Sequence, residues 1–566
     1  MRNELFGLSC LIAGCVAPGP EVSGEASAIV GTDTFVASPT ASSAPQLAAY
    51  TVPFETTLTE TPLHDYLGVI GGPAENYQPT HTSSCSSVVQ TAALQRIGVT
   101  SVRNNDYGDD SLDMDLLFNC TGSPFRACSD GTYPCWSGER CLRADSPGFR
   151  YDTDCGMLLF DQGSAASGAM TSDERFRTIL DAGFEPFFRL GSSGSGTHHV
   201  PILHAGTQVT PSLGPSTEAE QSNWIAAAQC VVDHYDAMSA LPGRAHIRYL
   251  DLLTEYSYTF WRSYSVESFA RFWGTAYRSL KNRFSNRYKI GGPGFILDDT
   301  QTLAEHLDET TCDTSSSDLY RFLVALYRHS GGAVAPDWLG VHVFTNEPAN
   351  YTRWLRAVRR MLDGHGRCFG QAPWAGTRFF ADVEVVVDAY APESGREEDC
   401  ALPANQGAAV CRYHTDQEGG ALTAASFIAM QERGVTRAFA YRANGRLSGV
   451  VTCDGANAEP VPRGNVLALW SALRRRAVGQ RTIHAPLSSN PDLYFMDAVA
   501  ADGQRYVLAS NTGSLTRTYR PEFGAGQHIT DFATRCVTTV NDSSRGWATT
   551  RACGMSSDTV TIAPYT

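Results

Sequence analysis

Short apolar runs alternate with amphipathic segments from about residue 65 to residue 475. Each apolar run is bounded by Gly, Pro, Asn or Asp, which is typical of buried β-strands. The segments between them carry apolar residues at helical spacing, and one opens with the capping box Thr171-Ser-Asp-Glu174. Eight strands that alternate with about eight helices predict an α/β fold, a (β/α)8 TIM barrel. The predicted barrel strands are Leu67–Gly71, Thr100–Asn104, Glu185–Leu190, Ile247–Leu253, Tyr288–Gly292, Trp338–Phe344, Arg378–Val385 and Arg437–Tyr441.

The pattern changes after Gly479, where short strands and turns follow one another without a helical period. This predicts a small C-terminal all-β domain of sandwich type, to which the segment near Tyr50–Glu55 would add a strand. Residues 16–49 consist of Ala, Ser, Thr, Pro and Gly with few large side chains, which is typical of a flexible linker. The chain therefore divides into a leader at 1–15, this linker, the barrel at 50–479 and the β-domain at 480–566.

The amino terminus has the features of a secretory leader, because a short apolar run from Leu5 to Ala13 precedes a cysteine. The stretch Ile12-Ala13-Gly14-Cys15 resembles a bacterial lipobox. If it acts as one, Cys15 carries a lipid and tethers the chain to a membrane surface; if not, the chain is secreted without an anchor. The charge of Arg2 is offset by Glu4, which departs from the usual leader pattern.

The 16 cysteines indicate an oxidising compartment. Two of them lie in the leader, so an even number remains for the mature chain. Several crowd the Gly-, Ser- and Pro-rich segment at 119–155, which predicts a surface insertion stapled by disulfides whose pairing the sequence leaves open. No Cys-x-x-Cys or clustered His accompanies them, so we predict no metal site there.

The net charge of −15, with no block of like charge, argues against nucleic acid as a partner, because nucleic acid favours basic surfaces. A neutral or mildly charged substrate fits this composition better. Aromatic residues make up 10% of the chain, and many lie near predicted strand ends, as a carbohydrate cleft requires. The composition leaves the oligomeric state open.

Glu255 follows the fourth predicted strand directly and is itself followed by several aromatic residues. Aromatic ring faces stack on the C–H groups of a sugar, and apolar surroundings suit a carboxyl group to general acid catalysis. Active residues of a barrel project from the carboxyl ends of its strands. Glu255 is therefore a candidate catalytic acid, and the alternative is a salt-bridged residue at the rim of the barrel.

Glu384 is predicted to end the seventh strand, which would place it across the barrel mouth from Glu255. Two facing carboxylates in a cleft are what glycoside hydrolysis needs, since one protonates the leaving oxygen and the other attacks the anomeric carbon or activates water. Asp382 lies two residues earlier on the same predicted strand and competes for the second role.

From about residue 65 to residue 510 the chain resembles glycoside hydrolase family 39, the β-xylosidase and α-L-iduronidase group. The resemblance implies a retaining mechanism, with Glu255 as acid/base and Glu384 as nucleophile. Such a mechanism needs neither a metal nor an organic cofactor. The matching segments are Gly98–Arg103, Asp181–Leu190, Glu255 with Phe260-Trp261, Gly291–Pro293, Val341–Phe344 and Val383–Val385.

The chain also departs from the family at several positions. Thr254 and Tyr256 stand where the family has the Asn and Pro that flank the acid/base, and Thr254 cannot supply the same amide donor to a sugar hydroxyl. Asn105 replaces a substrate-binding His, and Tyr441-Arg442 replaces an expected Trp. Arg442 would suit an acidic sugar or a structural ion pair. These differences indicate a changed sugar specificity.

The family's fourth strand ends in the motif Asn-Glu-Pro. In this chain the literal motif, Asn346-Glu347-Pro348, follows the sixth strand instead of the fourth. A glutamate there would lie beside the seventh strand, so we interpret Glu347 as a loop residue.

The sequence thus predicts a secreted or surface-tethered retaining glycoside hydrolase that acts on a poly- or oligosaccharide. Two alternatives remain: a catalytically inactive glycan-binding protein on the same fold, and a barrel glycosidase of another, β-glucuronidase-like family. The predicted sugar contacts are Arg103, Asn105, Tyr258, Trp261 and His342.

Overall fold

The computed structural model describes most of the barrel and parts of the remaining chain. The described residues are 8–11, 49–54, 61–73, 90–104, 133–134, 141–142, 172–191, 218–240, 244–256, 264–298, 312, 314, 317–392, 413, 417–443, 449–452, 458–503, 505–523, 532–538, 549–552, 555–556 and 559–565.

Eight parallel strands close into a barrel between residues 65 and 440, which confirms the predicted fold. Each strand pairs with the next along the chain, and the last pairs in parallel with the first. The fifth strand has two pieces, which lie on either side of the cis peptide Gly292–Pro293. The barrel strands are β3 (Asp65–Ile70), β4 (Ser101–Arg103), β7 (Glu185–Leu190), β8 (Tyr249–Leu252), β9 (Lys289–Gly291) with β10 (Phe295–Asp298), β11 (Trp338–Phe344), β12 (Glu384–Ala391) and β13 (Val435–Ala440).

Amphipathic helices pack around the barrel and cover its strands. The helix after the fourth strand begins as its capping residue predicts, since the Ser265 hydroxyl accepts the Ser268 backbone N–H at 3.1 Å. Its apolar face buries Phe269, Phe272 and Trp273. The helices are α1 (Thr91–Arg96), α2 (Ser172–Asp181), α3 (Glu218–Ser239), α4 (Val266–Phe284), α5 (Asp318–Ser330), α6 (Pro348–Asp363), α7 (Gly366–Phe369), α8 (Gln417–Glu432) and α9 (Pro462–Arg476), with a 3-10 turn at Ser285–Arg287.

The seventh barrel strand begins six residues later than predicted, at Glu384 instead of Arg378. Residues 371–382 form turns. The apolar side chains there pack outside the sheet, because Phe379 lies edge-on to Tyr327 of α5 and Phe380 lies edge-on to Trp374 of the same turn segment. The predicted strand at Arg378–Val385 was therefore wrong in register, and Glu384 starts the strand that it was expected to end.

The C-terminal region forms two sheets that pack face to face, as predicted for an all-β domain. Alternate residues of the central strands face the second sheet, among them Phe495, Val507 and Ala509. The six-stranded sheet has the order β14 (Ala477–His484), β15 (Leu493–Ala500), β16 (Arg505–Asn511), β1 (Leu8–Leu11), β18 (Phe532–Thr538) and β19 (Thr549–Ala552). The four-stranded sheet has the order β2 (Tyr50–Phe54), β17 (Arg517–Phe523), β21 (Thr559–Ile562) and β20 (Met555–Ser556).

The β-domain packs closely on the barrel. The faces of β15 and β16 that point away from the second sheet belong to the main hydrophobic core, through residues such as Tyr494, Met496 and Leu508. The Ser510 hydroxyl donates to the Ala421 carbonyl of α8 at 2.8 Å. Since β2 pairs with β17, residues 50–54 belong to this domain and not to the barrel.

Strand β1 lies within the predicted leader and pairs with both β16 and β18. A chain cleaved before Cys15 would lack this strand, so the two assignments of residues 8–11 exclude each other in one mature protein. No helix in the described part of the chain is long and apolar enough to cross a membrane.

A disulfide joins Cys312 to Cys368 and so links the segment before α5 to α7. The predicted cysteine-rich insertion lies largely outside the described residues. Only the short strands β5 (Tyr133–Pro134) and β6 (Cys141–Leu142) of that insertion are described, and they pair with each other.

Candidate active site

Five ionisable side chains meet at the end of the barrel where the strands end. All five are buried, and none of their side chains is more than 3% exposed. Barrel enzymes hold their active sites at this end, so this cluster is the candidate site. We call it the upper cluster; its members are Arg103 of β4, Asp251 of β8, His342 of β11, Asp388 of β12 and Glu255, which follows β8.

Glu255 lies where the sequence placed it, just beyond the fourth strand. Leu253 (φ 65°) and Glu255 (φ 48°) both adopt left-handed backbone conformations, which cost a non-glycine residue on the order of 1–3 kcal/mol. The Glu255 backbone N–H donates to the Gly294 carbonyl at 3.2 Å. Its carboxylate Oε1 lies 2.9 Å from His342 Nδ1. A backbone hydrogen bond to Gly294 and the contact with His342 thus orient this carboxylate.

Arg103 pairs with two carboxylates of the upper cluster, Asp251 and Asp388. Its Nε lies 2.9 Å and its Nη2 2.7 Å from one Asp251 oxygen, and Nη2 lies 3.4 Å from Asp388 Oδ2. Nη2 also donates to the Thr254 hydroxyl at 3.3 Å. The guanidinium is enclosed by these protein groups and fully buried, and the predicted contact of Arg103 with sugar stays a prediction. The Thr254 side chain is likewise turned toward Arg103.

His342 lies between two carboxylates. Nδ1 faces Glu255, and Nε2 lies 3.3 Å from Asp388 Oδ2. Burial lowers the pKa of His342, but the Asp388 charge at 3.3 Å and the contact with Glu255 raise it more, to about 10. The side chain is fully buried, and its predicted contact with sugar stays a prediction.

Asp388 enters the cluster through an irregularity of the seventh strand. Val341 pairs with Val387 and His342 pairs with Ala389, so Asp388 is an extra residue on β12. Such a bulge redirects side chains, and bulges are common next to active sites. Here it brings a carboxylate to the inside of the barrel beside His342.

Glu384 lies at the opposite end of the barrel from Glu255. It is the first residue of β12, where it accepts a hydrogen bond from the Tyr249 hydroxyl at 3.0 Å and pairs with the Lys289 ammonium. Four residues of strand separate it from Asp388, a distance of about 13 Å. Glu384 therefore cannot face Glu255, and the predicted catalytic pair is not formed. Its competitor Asp382 is exposed and lies before the strand.

An aromatic layer separates the two ends inside the barrel. The Phe187 ring lies 5.3 Å from Tyr249, 5.0 Å from Trp338 and 4.4 Å from Phe439, measured between ring centroids. Gly68 admits the Phe439 ring, because a Cβ at that position would lie 2.4 Å from it. The interior is thus filled, as the core of a small barrel is expected to be.

Above His342 the wall of the barrel is aromatic. Phe344 lies edge-on to Tyr441, and the Arg442 guanidinium lies over the Tyr441 ring at 5.1 Å from its centroid. Arg442 also donates to the Tyr441 hydroxyl at 3.1 Å. Three further predicted sugar contacts, Asn105, Tyr258 and Trp261, lie outside the described residues.

The second Asn-Glu-Pro stretch starts a helix. The Thr345 hydroxyl accepts the Glu347 backbone N–H at 3.1 Å and the Asn350 side-chain amide at 3.0 Å, and α6 begins at Pro348. Glu347 itself is exposed. It is the residue just before α6 and lies outside any strand, in agreement with its interpretation as a loop residue.

Sequence reasoning missed Asp251 and Asp388. Each is a single acidic residue in an otherwise apolar strand, in Tyr249–Leu252 and in Val385–Ala391. An acid in a buried strand must find a counter-charge, which is the signal that could have identified both. Among the described residues, no group of three His, Cys, Asp or Glu side chains is arranged to hold a metal ion.

No family model matches the sequence, and no curated protein sequence matches it. Solved structures do match. A family 51 α-L-arabinofuranosidase from Bifidobacterium longum matches with a TM-score of 0.51 and 11% identity, over 90% of this chain and 97% of that chain. A glucosidase from Croceicoccus marinus has a TM-score of 0.48 and 13% identity, over 83% and 88% of the two chains. A family 39 β-xylosidase from Caulobacter crescentus matches with a TM-score of 0.47 and 11% identity, over 85% of this chain and 84% of that chain.

The match to the arabinofuranosidase, with its TM-score above 0.5, agrees with the class of fold that the strand order shows, a (β/α)8 barrel with an attached β-domain. At this level of identity the comparison shows the fold alone.

Proposed function

We propose that the chain is a glycoside hydrolase that cleaves glycosidic bonds in a poly- or oligosaccharide, with Glu255 as the proton donor. The position of Glu255 carries this proposal. It lies at the end of the barrel that holds active sites, directly after the fourth strand, and its carboxylate is held by His342 at 2.9 Å. An aromatic wall that includes Phe344 and Tyr441 lies on the same side.

Glycoside cleavage requires a proton at the leaving oxygen. The hydrogen bond between Glu255 Oε1 and His342 Nδ1 places a proton between these two groups. The His342 Nδ1 proton can therefore pass through Glu255 to the leaving oxygen as the glycosidic bond breaks, and a proton taken by Glu255 from the attacking water returns to Nδ1, which is general acid and general base catalysis.

The reaction also needs a second carboxylate, and Glu384 does not serve as one because it lies at the opposite end of the barrel. The resemblance to family 39 implies that the product keeps the anomeric configuration of the substrate. Proton NMR of the first product tests this prediction; inversion would contradict it.

The test of the function is a screen of nitrophenyl glycosides and natural glycans, followed by Glu255→Gln. We expect kcat/KM on an active substrate to fall about 10²- to 10⁴-fold, the usual contribution of a general acid or base. Glu384→Gln is the matched control, since it makes the same change at the other end and should leave kcat/KM unchanged. Full activity of Glu255→Gln would contradict the assignment.

A second function, glycan binding without hydrolysis, is favoured by one observation: the Glu255 side chain is only 3% exposed. Under this alternative, the wild-type protein binds an oligosaccharide in calorimetry and releases no sugar from it. Glu255→Gln would then leave binding unaltered.

We further propose that the protein acts outside the cytoplasm, either secreted or tethered through Cys15. The apolar leader, the linker at 16–49 and the Cys312–Cys368 disulfide support this. The intact mass of the mature protein decides between the two forms, because a lipid on Cys15 adds mass that Cys15→Ser removes. A mature chain that keeps residues 1–14 would contradict both.

A further inference from the structure

Three buried side chains form a line across the upper end of the barrel. Asp388 Oδ2 lies 3.3 Å from His342 Nε2, and His342 Nδ1 lies 2.9 Å from Glu255 Oε1. A neutral imidazole has one N–H and one lone pair. Between two carboxylates, a neutral ring would therefore point its lone pair at a carboxylate oxygen. Only the doubly protonated ring offers a proton to each carboxylate.

The remaining charges around His342 favour the same form. The carboxylates that face it are Glu255, after β8, and Asp388, on β12; Arg103, on β4, faces Asp388 and is itself paired with Asp251. Arg189 of β7, the register partner of Asp251, is a further fully buried cation on the neighbouring strand. Protonation of His342 places a positive charge directly between Glu255 and Asp388, and a neutral His342 would leave both buried carboxylates without it, which is unfavourable.

The backbone at Gly294 and Gly340 closes one side of this line of three side chains. A Cβ on Gly294 would lie 2.6 Å from His342 Nε2 and 2.8 Å from Asp388 Oδ2. A Cβ on Gly340 would lie 2.9 Å from Asp388 Oδ2. The imidazole and the Asp388 carboxylate therefore lie against backbone, and Asp388 has no exposed surface through which to touch a sugar.

We propose that Asp388 is a positioning residue that keeps His342 doubly protonated, so that the His342 Nδ1–H holds the Glu255 carboxylate in place. Asp388 acts on Glu255 through the imidazole and does not touch substrate. Its effect on catalysis rests on the proposed function of Glu255, whereas its effect on the protonation of His342 does not.

The protonation of His342 is therefore the first thing to measure. Histidine labelled with ¹⁵N is incorporated into the wild type and into Asp388→Asn, and the imidazole ¹⁵N shifts are followed from about pH 5.5 to about pH 9, with His342→Gln to assign the signal. In the wild type the His342 signal stays at the imidazolium position across this range. In Asp388→Asn it titrates with a midpoint within about one unit of 6.5.

Two variants control this measurement. Glu384→Gln removes a carboxylate at the other end of the barrel and should leave the His342 signal as in the wild type. Asp388→Glu keeps the charge and should restore the imidazolium signal. A His342 signal in Asp388→Asn that still does not titrate overturns the proposal. If Asp388→Asn does not fold, the wild type decides alone, since a His342 that loses its proton between about pH 6 and pH 8 overturns the proposal.

The second measurement is the pH profile on an active substrate. In Asp388→Asn, kcat/KM should fall at alkaline pH by about tenfold per pH unit, beginning near the new midpoint of His342. In Asp388→Glu this alkaline fall should be absent. An unchanged profile in Asp388→Asn, with His342 titrating, would overturn the link to Glu255. A wild-type protein without glycosidase activity would contradict the proposed function and leave the NMR result to decide the state of His342.

Discussion

The two ends of the barrel interior carry similar charged side chains in very different surroundings. At the upper end, Arg103, Asp388 and His342 are fully buried and contact one another. At the lower end, Glu185 pairs with Arg437 at 3.0 Å, and Glu384 pairs with Lys289, whose side chain is 48% exposed. Water therefore screens the Glu384–Lys289 pair and not the charges of the upper cluster.

The difference shows why residue type alone does not identify a catalytic carboxylate. Glu255 and Glu384 are both glutamates next to barrel strands, but one follows a strand and the other begins one. An ion pair near water contributes little to stability, whereas a buried charge depends on its partner. The upper cluster is accordingly the part of the barrel where single changes should have the largest effects.

The largest effect is expected from Arg103→Leu, which leaves Asp251 and Asp388 buried without their shared cation. We expect a loss of about 3–5 kcal/mol in the free energy of unfolding, measured by urea titration. Arg177→Leu is the control, because Arg177 is exposed and its pair with Asp173 should be worth less than about 1 kcal/mol. Equal losses in both variants would remove the distinction between buried and exposed pairs.

Gly340→Ala tests how tightly the upper cluster is packed. A Cβ there would lie within 3.0 Å of three atoms of the Asp388 carboxyl group, so we expect a loss of about 1–3 kcal/mol from overpacking. Gly274→Ala in α4 is the comparison, since its Cβ meets only a Leu326 methyl group at 3.0 Å. Thermal denaturation of both variants would show a drop for Gly340→Ala alone; similar midpoints would contradict the packing argument.

The pH dependence of stability should report the raised pKa of His342. Between about 6.5, where the unfolded chain loses this proton, and the folded value of about 10, the native state binds one more proton than the unfolded state. This contribution is complete below that window and is lost as the pH rises, by up to about 1.4 kcal/mol per pH unit. His342→Gln should lack this slope in urea titrations from neutral to alkaline pH. If the unfolding free energies of the wild type and His342→Gln change with pH in parallel, the raised pKa of His342 is contradicted.

The smallest effect is expected from Glu384→Gln at the lower end. The pair with Lys289 is partly exposed, so its loss should cost less than about 1 kcal/mol in unfolding free energy. A loss as large as that of Arg103→Leu would mean that the two ends do not differ in the way their surroundings indicate.

Much of the fold could be predicted from the apolar pattern, because a buried strand needs a short apolar run and turn residues at its ends. The error at the seventh strand has a specific cause. Two apolar runs follow one another there, and in the first Phe379 packs on Tyr327 of α5 and Phe380 packs on Trp374 of the preceding turns. The second run enters the sheet because it pairs with β11 and β13. A single sequence contains no information on that choice of partners.

For the site, the sequence alone was sufficient to place Glu255, since its position depends only on where one strand ends. The carboxylate across from Glu255 could not be found in this way. The seventh strand begins six residues later than predicted, and this shift moves Glu384 from one end of the barrel to the other. The burial of Arg103 and His342 also depends on side chains that four different strands bring together. Local patterns therefore determined the order of elements and the position of Glu255, and the pairing of distant strands determined which charged side chains meet it.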